Sequence, residues 1–256
     1  MNFLEVLAHG GEDNVIQAGP TLDQIIRSNS ITYTLLAAGI LVLILFGSLF
    51  LKNQSERLKF FLFISIVAVT LVNTIYLVGS TIYLNGESET GGPVHWHADF
   101  EIWNCGQEIE LADPKGFSNR VGTSVTHEHN DNRIHIEGVV LENRQASLKH
   151  FFEEIGGSFN GTHLAIPTNE GILNLEDGNK CPDGKVGTLQ VFVHKSLNGT
   201  FSQQKLIFPE KYIISPHGNV PPGDCIIFEF GPPKDKTDKL CTFYEVAIQK
   251  GDLREQ

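Results

Sequence analysis

Five of the ten histidines fall between residues 95 and 137, in two His-x-His pairs and one His-x-Glu. The chain reads His95-Trp96-His97-Ala98-Asp99, then His127-Glu128-His129, then His135-Ile136-Glu137. In extended backbone, residues i and i+2 point to the same side, so each His-x-His or His-x-Glu pair offers two donor groups to one point in space. Neutral imidazole nitrogen suits zinc and copper, whose exchangeable or catalytic sites use three His, or two His with a carboxylate. The candidate ligands are His95, His97 and His135 first, His127 and His129 next, and Glu137 as a ligand or as support for one. A single ion cannot take all six. A lone histidine is ordinarily a hydrogen-bonded surface or core residue, and that reading is kept for His150, His163, His194 and His217.

The elements that must position these groups are strands. His95, His97, Asp99 and Glu101 share one face of a period-two segment, with Trp96, Ala98, Phe100 and Ile102 on the other. Asn104 to Gln107 forms a turn into a second strand at Glu108 to Leu111. Arg133, His135 and Glu137 alternate with Ile134 and Ile136 in a segment running to Leu141. A site exists if the strand of His95 and His97 lies beside that of His135 and Glu137, because cross-strand neighbours are about 5 Å apart. The turn at Asn130-Asp131-Asn132 would bring His127 and His129 back to the same place. Further on, Ser147 caps a helix carrying Leu148, Phe151, Phe152 and Ile155, closed by Gly156 and Gly157. Leu189 to His194 and Cys225 to Phe230 read as strands, the latter fed by a Pro-Pro-Gly-Asp turn at 221 to 224, and the alternation from Leu240 to Ile248 predicts a last one. Residues 95 to 256 are thus a β-rich α+β domain with one amphipathic helix.

Upstream, Ile31 to Leu51 and Phe60 to Leu84 are 21 and 25 residues without a charge. About 20 apolar residues suffice for a helix to cross a bilayer, so the two segments predict a transmembrane hairpin over 31 to 84. Tyr33 and Tyr83 suit the interfacial belt. Asn73, Thr70, Thr74, Ser80 and Thr81 are expected to bond between helices, and the absence of an ionisable residue inside either span argues against an ion path. Lys52, Arg57 and Lys59 crowd the loop 52 to 59, placing it in the cytoplasm and both termini outside the plasma membrane. Residues 1 to 30 lack the basic start and cleavage site of a signal peptide and read as a retained extracytoplasmic tail in which Thr21 caps a brief helix. Residues 85 to 94 are a glycine-rich linker, so His95 follows the membrane by about ten residues.

Residues 85 to 256 hold 15 Lys and Arg against 25 Asp and Glu. That acidity makes nucleic acid a poor partner, since its affinity comes from cations on phosphates. The bilayer and a metal ion are the expected partners. Cys105, Cys181, Cys225 and Cys241 contain no Cys-x-x-Cys pair, which removes thioredoxin-type chemistry and zinc ribbons; on the outer side of a membrane an even count predicts two disulfides, in any of three pairings. His127-Glu128-His129 lacks the zincin spacing, and Asp177 to Gly184 lacks the ordered ligands of a calcium loop. Asn160-Gly161-Thr162 and Asn198-Gly199-Thr200 match the glycosylation sequon.

In combination, His-Trp-His-Ala-Asp-Phe-Glu-Ile at 95 to 102, Thr126-His127-Glu128-His129, Arg133-Ile134-His135-Ile136-Glu137, Leu148 with Phe151-Phe152, Leu189 to Val193 and Pro222-Gly223-Asp224 resemble an uncharacterised bacterial and archaeal family of membrane-anchored or secreted domains. The resemblance covers residues 95 to about 230. It departs at Glu128, where many relatives have Thr or Ser, and in a longer segment from Asn169 to Gly187. It implies the fold and the importance of the histidines, and no reaction.

These observations together predict a membrane-anchored extracytoplasmic protein that captures or senses zinc or copper. A metal-dependent enzyme of loosely cupin-like chemistry, with Glu137 or Asp99 as base, is the alternative from a different class. An adhesion or assembly module with incidental histidines is a third.

Overall fold

The computed structural model describes residues 21–51, 55–218 and 223–256. Most of the expected N-terminal tail, Lys52 of the basic loop, and Pro221 and Pro222 of the late turn lie outside the described residues. The chain divides into two units, 1–81 and 82–256.

The first unit is made of two long helices, α1 (Leu22–Leu49) and α2 (Glu56–Glu87), the second of which continues past the unit boundary. Thr21 does sit at the N-cap of α1, where the Gln24 side chain accepts from its backbone N–H. The helix it opens is not brief, however, and runs on through the first apolar segment without a break. The reason is continuity of helix-compatible sequence: no Pro or Gly interrupts residues 22 to 38. At 1.5 Å per residue, 28 and 32 residues give rods of about 42 and 48 Å, longer than the roughly 30 Å of a hydrocarbon core. Neither helix buries a residue, and Leu43, Leu49 and Val72 are each more than two-thirds exposed. Apolar side chains on every face, uncovered by protein, suit insertion in lipid. The two helices touch through Tyr33 and Tyr76, whose rings meet edge to face at 4.8 Å. The expected bonds between helices are not formed by the hydroxyls: Thr70, Thr74, Ser80 and Thr81 donate to Ile66, Thr70, Leu77 and Leu77 carbonyls of their own helix. A short hydroxyl reaches the preceding turn more easily than a neighbouring helix.

The second unit is the β-rich domain. Its strands are β1 (Pro93–Asn104), β2 (Gln107–Ile109), β3 (Val121–Gly122), β4 (Thr126–Glu128), β5 (Arg133–Val139), β6 (Ser158–Phe159), β7 (His163–Thr168), β8 (Gly171–Glu176), β9 (Thr188–Leu197), β10 (Thr200–Lys205), β11 (Asp224–Gly231) and β12 (Arg254–Glu255), with helices α3 (Leu148–Glu154) and α4 (Thr242–Lys250). The main sheet runs β12-β10-β9-β11-β1-β5-β4-β3, with β2 paired to β1, and β6-β7-β8 form a second, small sheet. The main sheet is mixed, because β1 and β11 are parallel while β1 and β5 are antiparallel.

The alternation read from the sequence fixes which side of each strand is inside. Ala98, Phe100 and Ile102 of β1, Ile134 and Ile136 of β5, Val191 and Val193 of β9, and Ile226 and Phe228 of β11 form one continuous core with α3 and the small sheet. Ser147 caps α3 by accepting from His150 N–H, and Leu148, Phe151 and Phe152 are wholly buried. Burying each such side chain stabilises by about 1.5–3 kcal/mol. The disulfides are Cys105–Cys181 and Cys225–Cys241.

Residues 240 to 248 depart from expectation: from Thr242 on they belong to α4, with Cys241 at its N-cap, and form no last strand. Tyr244 and Ala247, three apart, and Leu253 face a second apolar cluster with Phe192, Phe201 and Ile227 on the opposite side of the main sheet. The Cys225–Cys241 bond pins the start of this helix, Glu101 accepts from Thr242 N–H at 3.2 Å, and Gly251 at φ +80° ends it. The β-branched alternation was outweighed by tertiary anchoring, and Gly251 was the stop signal available in the sequence.

Candidate metal centre

On β1 the outward positions are His95, His97, Asp99 and Glu101; on β5 they are Arg133, His135 and Glu137. The antiparallel register sets them directly opposite one another: His95 with Glu137, His97 with His135, Asp99 with Arg133. On the other side of β5, His127 of β4 pairs with His135. Three histidines thus form a row across three adjacent strands, with His95, His129 and Glu137 beside it. The fold brings together all six residues singled out by spacing.

His135 is the centre. Its ring is 4.8 Å from that of His97, 4.8 Å from His129 and 5.4 Å from His127, the last pair stacked within 4° of parallel. His127 Nε2 and His129 Nε2 lie 3.1 Å apart, and two imidazoles on one tetrahedral ion at 2.0–2.1 Å would be about 3.3 Å apart. Glu137 Oε1 is 3.0 Å from His95 Nε2 and 3.9 Å from His135 Nδ1, while Oε2 is 3.8 Å from His127 Nε2. The ligand atoms form two groups, His95, His97, His135 and Glu137, and His127, His129, His135 and Glu137, each with its atoms within 4.8 Å of one another.

Two hydrogen bonds fix tautomers. A carbonyl oxygen only accepts, so His129 Nδ1 carries the proton in its 2.6 Å bond to Asn119 O, and its Nε2 lone pair faces His127. Asp131 Oδ2 likewise accepts from His135 Nε2 at 3.3 Å, leaving the His135 Nδ1 lone pair toward Glu137. A carboxylate or carbonyl behind the imidazole is the usual support of a metal-ligating histidine. Neither Asp131 nor Asn119 was singled out from the sequence. Asp131 reads as a turn residue, and its four-residue offset from His135 is not a strand period; the tight turn, with Asn130 and Asn132 at φ +63° and +55°, folds it back. Glu128 holds that turn, accepting from Asp131 and Asn132 N–H groups, so the middle residue of His-Glu-His is structural.

Electrostatics favour neutral imidazoles. Burial, together with the neighbouring His135 and His95, lowers His97 to about 4, and burial also lowers His127 to about 4. Burial raises the Glu128 carboxyl. It raises Asp99 too, although the Arg133 partner opposes it. The Asp99 Oδ1 to Arg133 Nε pair, 2.9 Å and almost wholly buried, underlies the cluster, and Arg133 is capped by the Phe243 ring of α4 at 4.1 Å. Asp99 is therefore committed to Arg133. His97 Nδ1, His127 Nδ1 and His135 Nδ1 are buried without a protein partner, as are Asp99 Oδ2 and Arg133 Nη2.

Gly122 lets β3 close over this end of the sheet. Its φ is +111°, and a Cβ there would stand 2.6 Å from the Thr126 carbonyl oxygen, so no other residue fits. Of the histidines read as ordinary, His163 bonds to Asn174, His150 neighbours Glu154 on α3, and His194 is buried near Phe201 and Tyr244. His217 flanks β1, its carbonyl accepting from His97 N–H at 2.9 Å, but its ring belongs to neither ligand group.

The arrangement offers imidazole nitrogens with a carboxylate oxygen, a donor set that could hold a metal ion. Comparison with protein-family models, curated proteins and solved structures finds no match, so the functional reading rests on the chemistry of the site.

Proposed function

We propose that this is a membrane-anchored protein that captures or senses zinc or copper on the outer face of the plasma membrane. The observation that carries the reading is the convergence of five imidazoles and Glu137 on one sheet face, with three buried ring nitrogens lacking a protein partner. A buried polar atom left unpaired costs about 1–3 kcal/mol, so several of them on imidazoles packed together are a cost the fold bears for a reason. Incidental histidines in an adhesion module would be expected to pair with neighbouring side chains.

The uncovered apolar helices supply the anchor, and two disulfides suit an oxidising compartment. With the basic loop inside, both termini and the β-rich domain face outward. Five residues, 88 to 92, separate α2 from β1, so the histidines follow the second span closely along the chain.

The test is metal content. The untagged full chain purified in detergent should retain zinc or copper, and added zinc should raise its melting temperature. Absence of both effects would sink the reading. His97→Ala with His135→Ala should abolish them, and persistence would show the ligands to be wrong.

A further inference from the structure

We infer that the cluster holds two ions bridged by Glu137, one fully coordinated and one with an open position. This rests on the metal-binding reading above and sharpens it. The two Glu137 oxygens face different partners: Oε1 lies 3.0 Å from His95 Nε2, and Oε2 lies 3.8 Å from His127 Nε2. The two ligand groups have only His135 and Glu137 in common. A carboxylate can serve two ions through its two oxygens, and bridged pairs sit about 3.5–4 Å apart.

His135 cannot be shared in the same way. Its Nε2–H is engaged by Asp131, which leaves one lone pair, at Nδ1, on the Oε1 side of Glu137 at 3.9 Å. The first ion then takes His95, His97, His135 and Glu137 Oε1, a complete tetrahedral set. The second takes His127 Nε2, His129 Nε2 and Glu137 Oε2, three protein ligands with a fourth position left for water or an exogenous ligand. That division explains why His127 and His129 face each other at 3.1 Å although His95, His97 and His135 already suffice for one ion. A site of three protein ligands exchanges its ion more readily than one of four, so the His127–His129 side is the loading side of the pair.

The untagged full chain in detergent, stripped with chelator and re-equilibrated with zinc(II), should carry two zinc ions per chain. His129→Ala removes a half-buried ligand of the second set alone and should reduce the count to one. No zinc in the wild type would overturn the metal-binding reading itself. One zinc in the wild type would overturn the two-ion inference and leave that reading standing. Two zinc ions in both proteins would also overturn it, because the second ion would lie elsewhere. A measurement that needs no variant is electron paramagnetic resonance of the copper(II)-loaded wild type. At two coppers per chain a bridged pair gives a spin-coupled signal; two independent signals would overturn the bridge.

Discussion

One face of the main sheet is finished in two different ways. Over β9, β11 and the end of β1, Phe192, Ile227 and the Cys225–Cys241 disulfide are covered by Tyr244 and Ala247 of α4. Most carboxylates and amides there are matched: Glu229 meets Lys234 and Thr237, Gln190 meets Lys205, and Glu101 meets Trp103 and Thr242, with His194 Nδ1 left unpaired. Over β1, β5 and β4 the same outward positions carry His97, His135 and His127, and the Nδ1 of each is buried without a protein partner. The first region behaves as core and the second as a site, although both lie on one face of the same sheet with the same alternation and meet on β1. Covering a sheet face closes its chemistry; leaving buried imidazoles unpaired keeps it available to a ligand. The Asp99–Arg133 pair, roofed by Phe243 of α4, is the seam between them.

The comparison can be broken most severely at that seam. Asp99→Ala leaves the Arg133 guanidinium buried and uncompensated and should cost about 3–5 kcal/mol, read as a lower denaturation midpoint. A loss under about 1 kcal/mol would mean the pair is dispensable to both halves. Next, replacing Cys225 and Cys241 by Ala reopens a loop of sequence separation 16 and should cost about 3 kcal/mol while leaving zinc content unchanged. Zinc loss in that variant would show that the two halves are not separable.

Zinc itself at about 100 times its dissociation constant should stabilise the wild type by about 2.7 kcal/mol, an increment absent from the His97→Ala, His135→Ala double variant. Asp131→Ala should weaken zinc binding by about 10- to 100-fold, since it removes the group orienting His135. An unchanged affinity would remove Asp131 from the site.

A last effect concerns pH in the metal-free protein. His97 and His127 stay neutral in the fold down to about 4, whereas the unfolded chain takes up protons near 6.5. The unfolded state therefore binds more protons between these values, and stability should fall as pH drops from 6.5 toward 4. A melting temperature independent of pH across that window, or the same slope after His97→Ala and His127→Ala, would contradict the burial argument.

Much of this was legible from residue order. Two charge-free runs marked two long helices suited to a membrane, because a soluble helix ordinarily keeps a polar face. The period-two runs at 95 to 102 and 133 to 139 identified the strands and their outward faces, because inward positions had to be apolar. Ser147 announced α3 through its capping hydroxyl. Other features were hidden in long-range relations. Residues 240 to 248 alternated like a strand, and only the bond to Cys225 and the apolar patch they cover made them a helix. Asp131 and Asn119 support the histidines through a folded-back turn and a backbone carbonyl, neither of which has a spacing signature.

The stretch from His95 to Glu137 shows the division best. Composition and alternation alone determined that imidazoles would stand in pairs on the outer sides of strands, since that follows from local geometry. Only the tertiary structure decided that β5 lies between β1 and β4 with His135 opposite both His97 and His127. It also turned the two oxygens of Glu137 toward different histidines. Strand order and register are set by which apolar faces must share one core, and no local pattern records that choice.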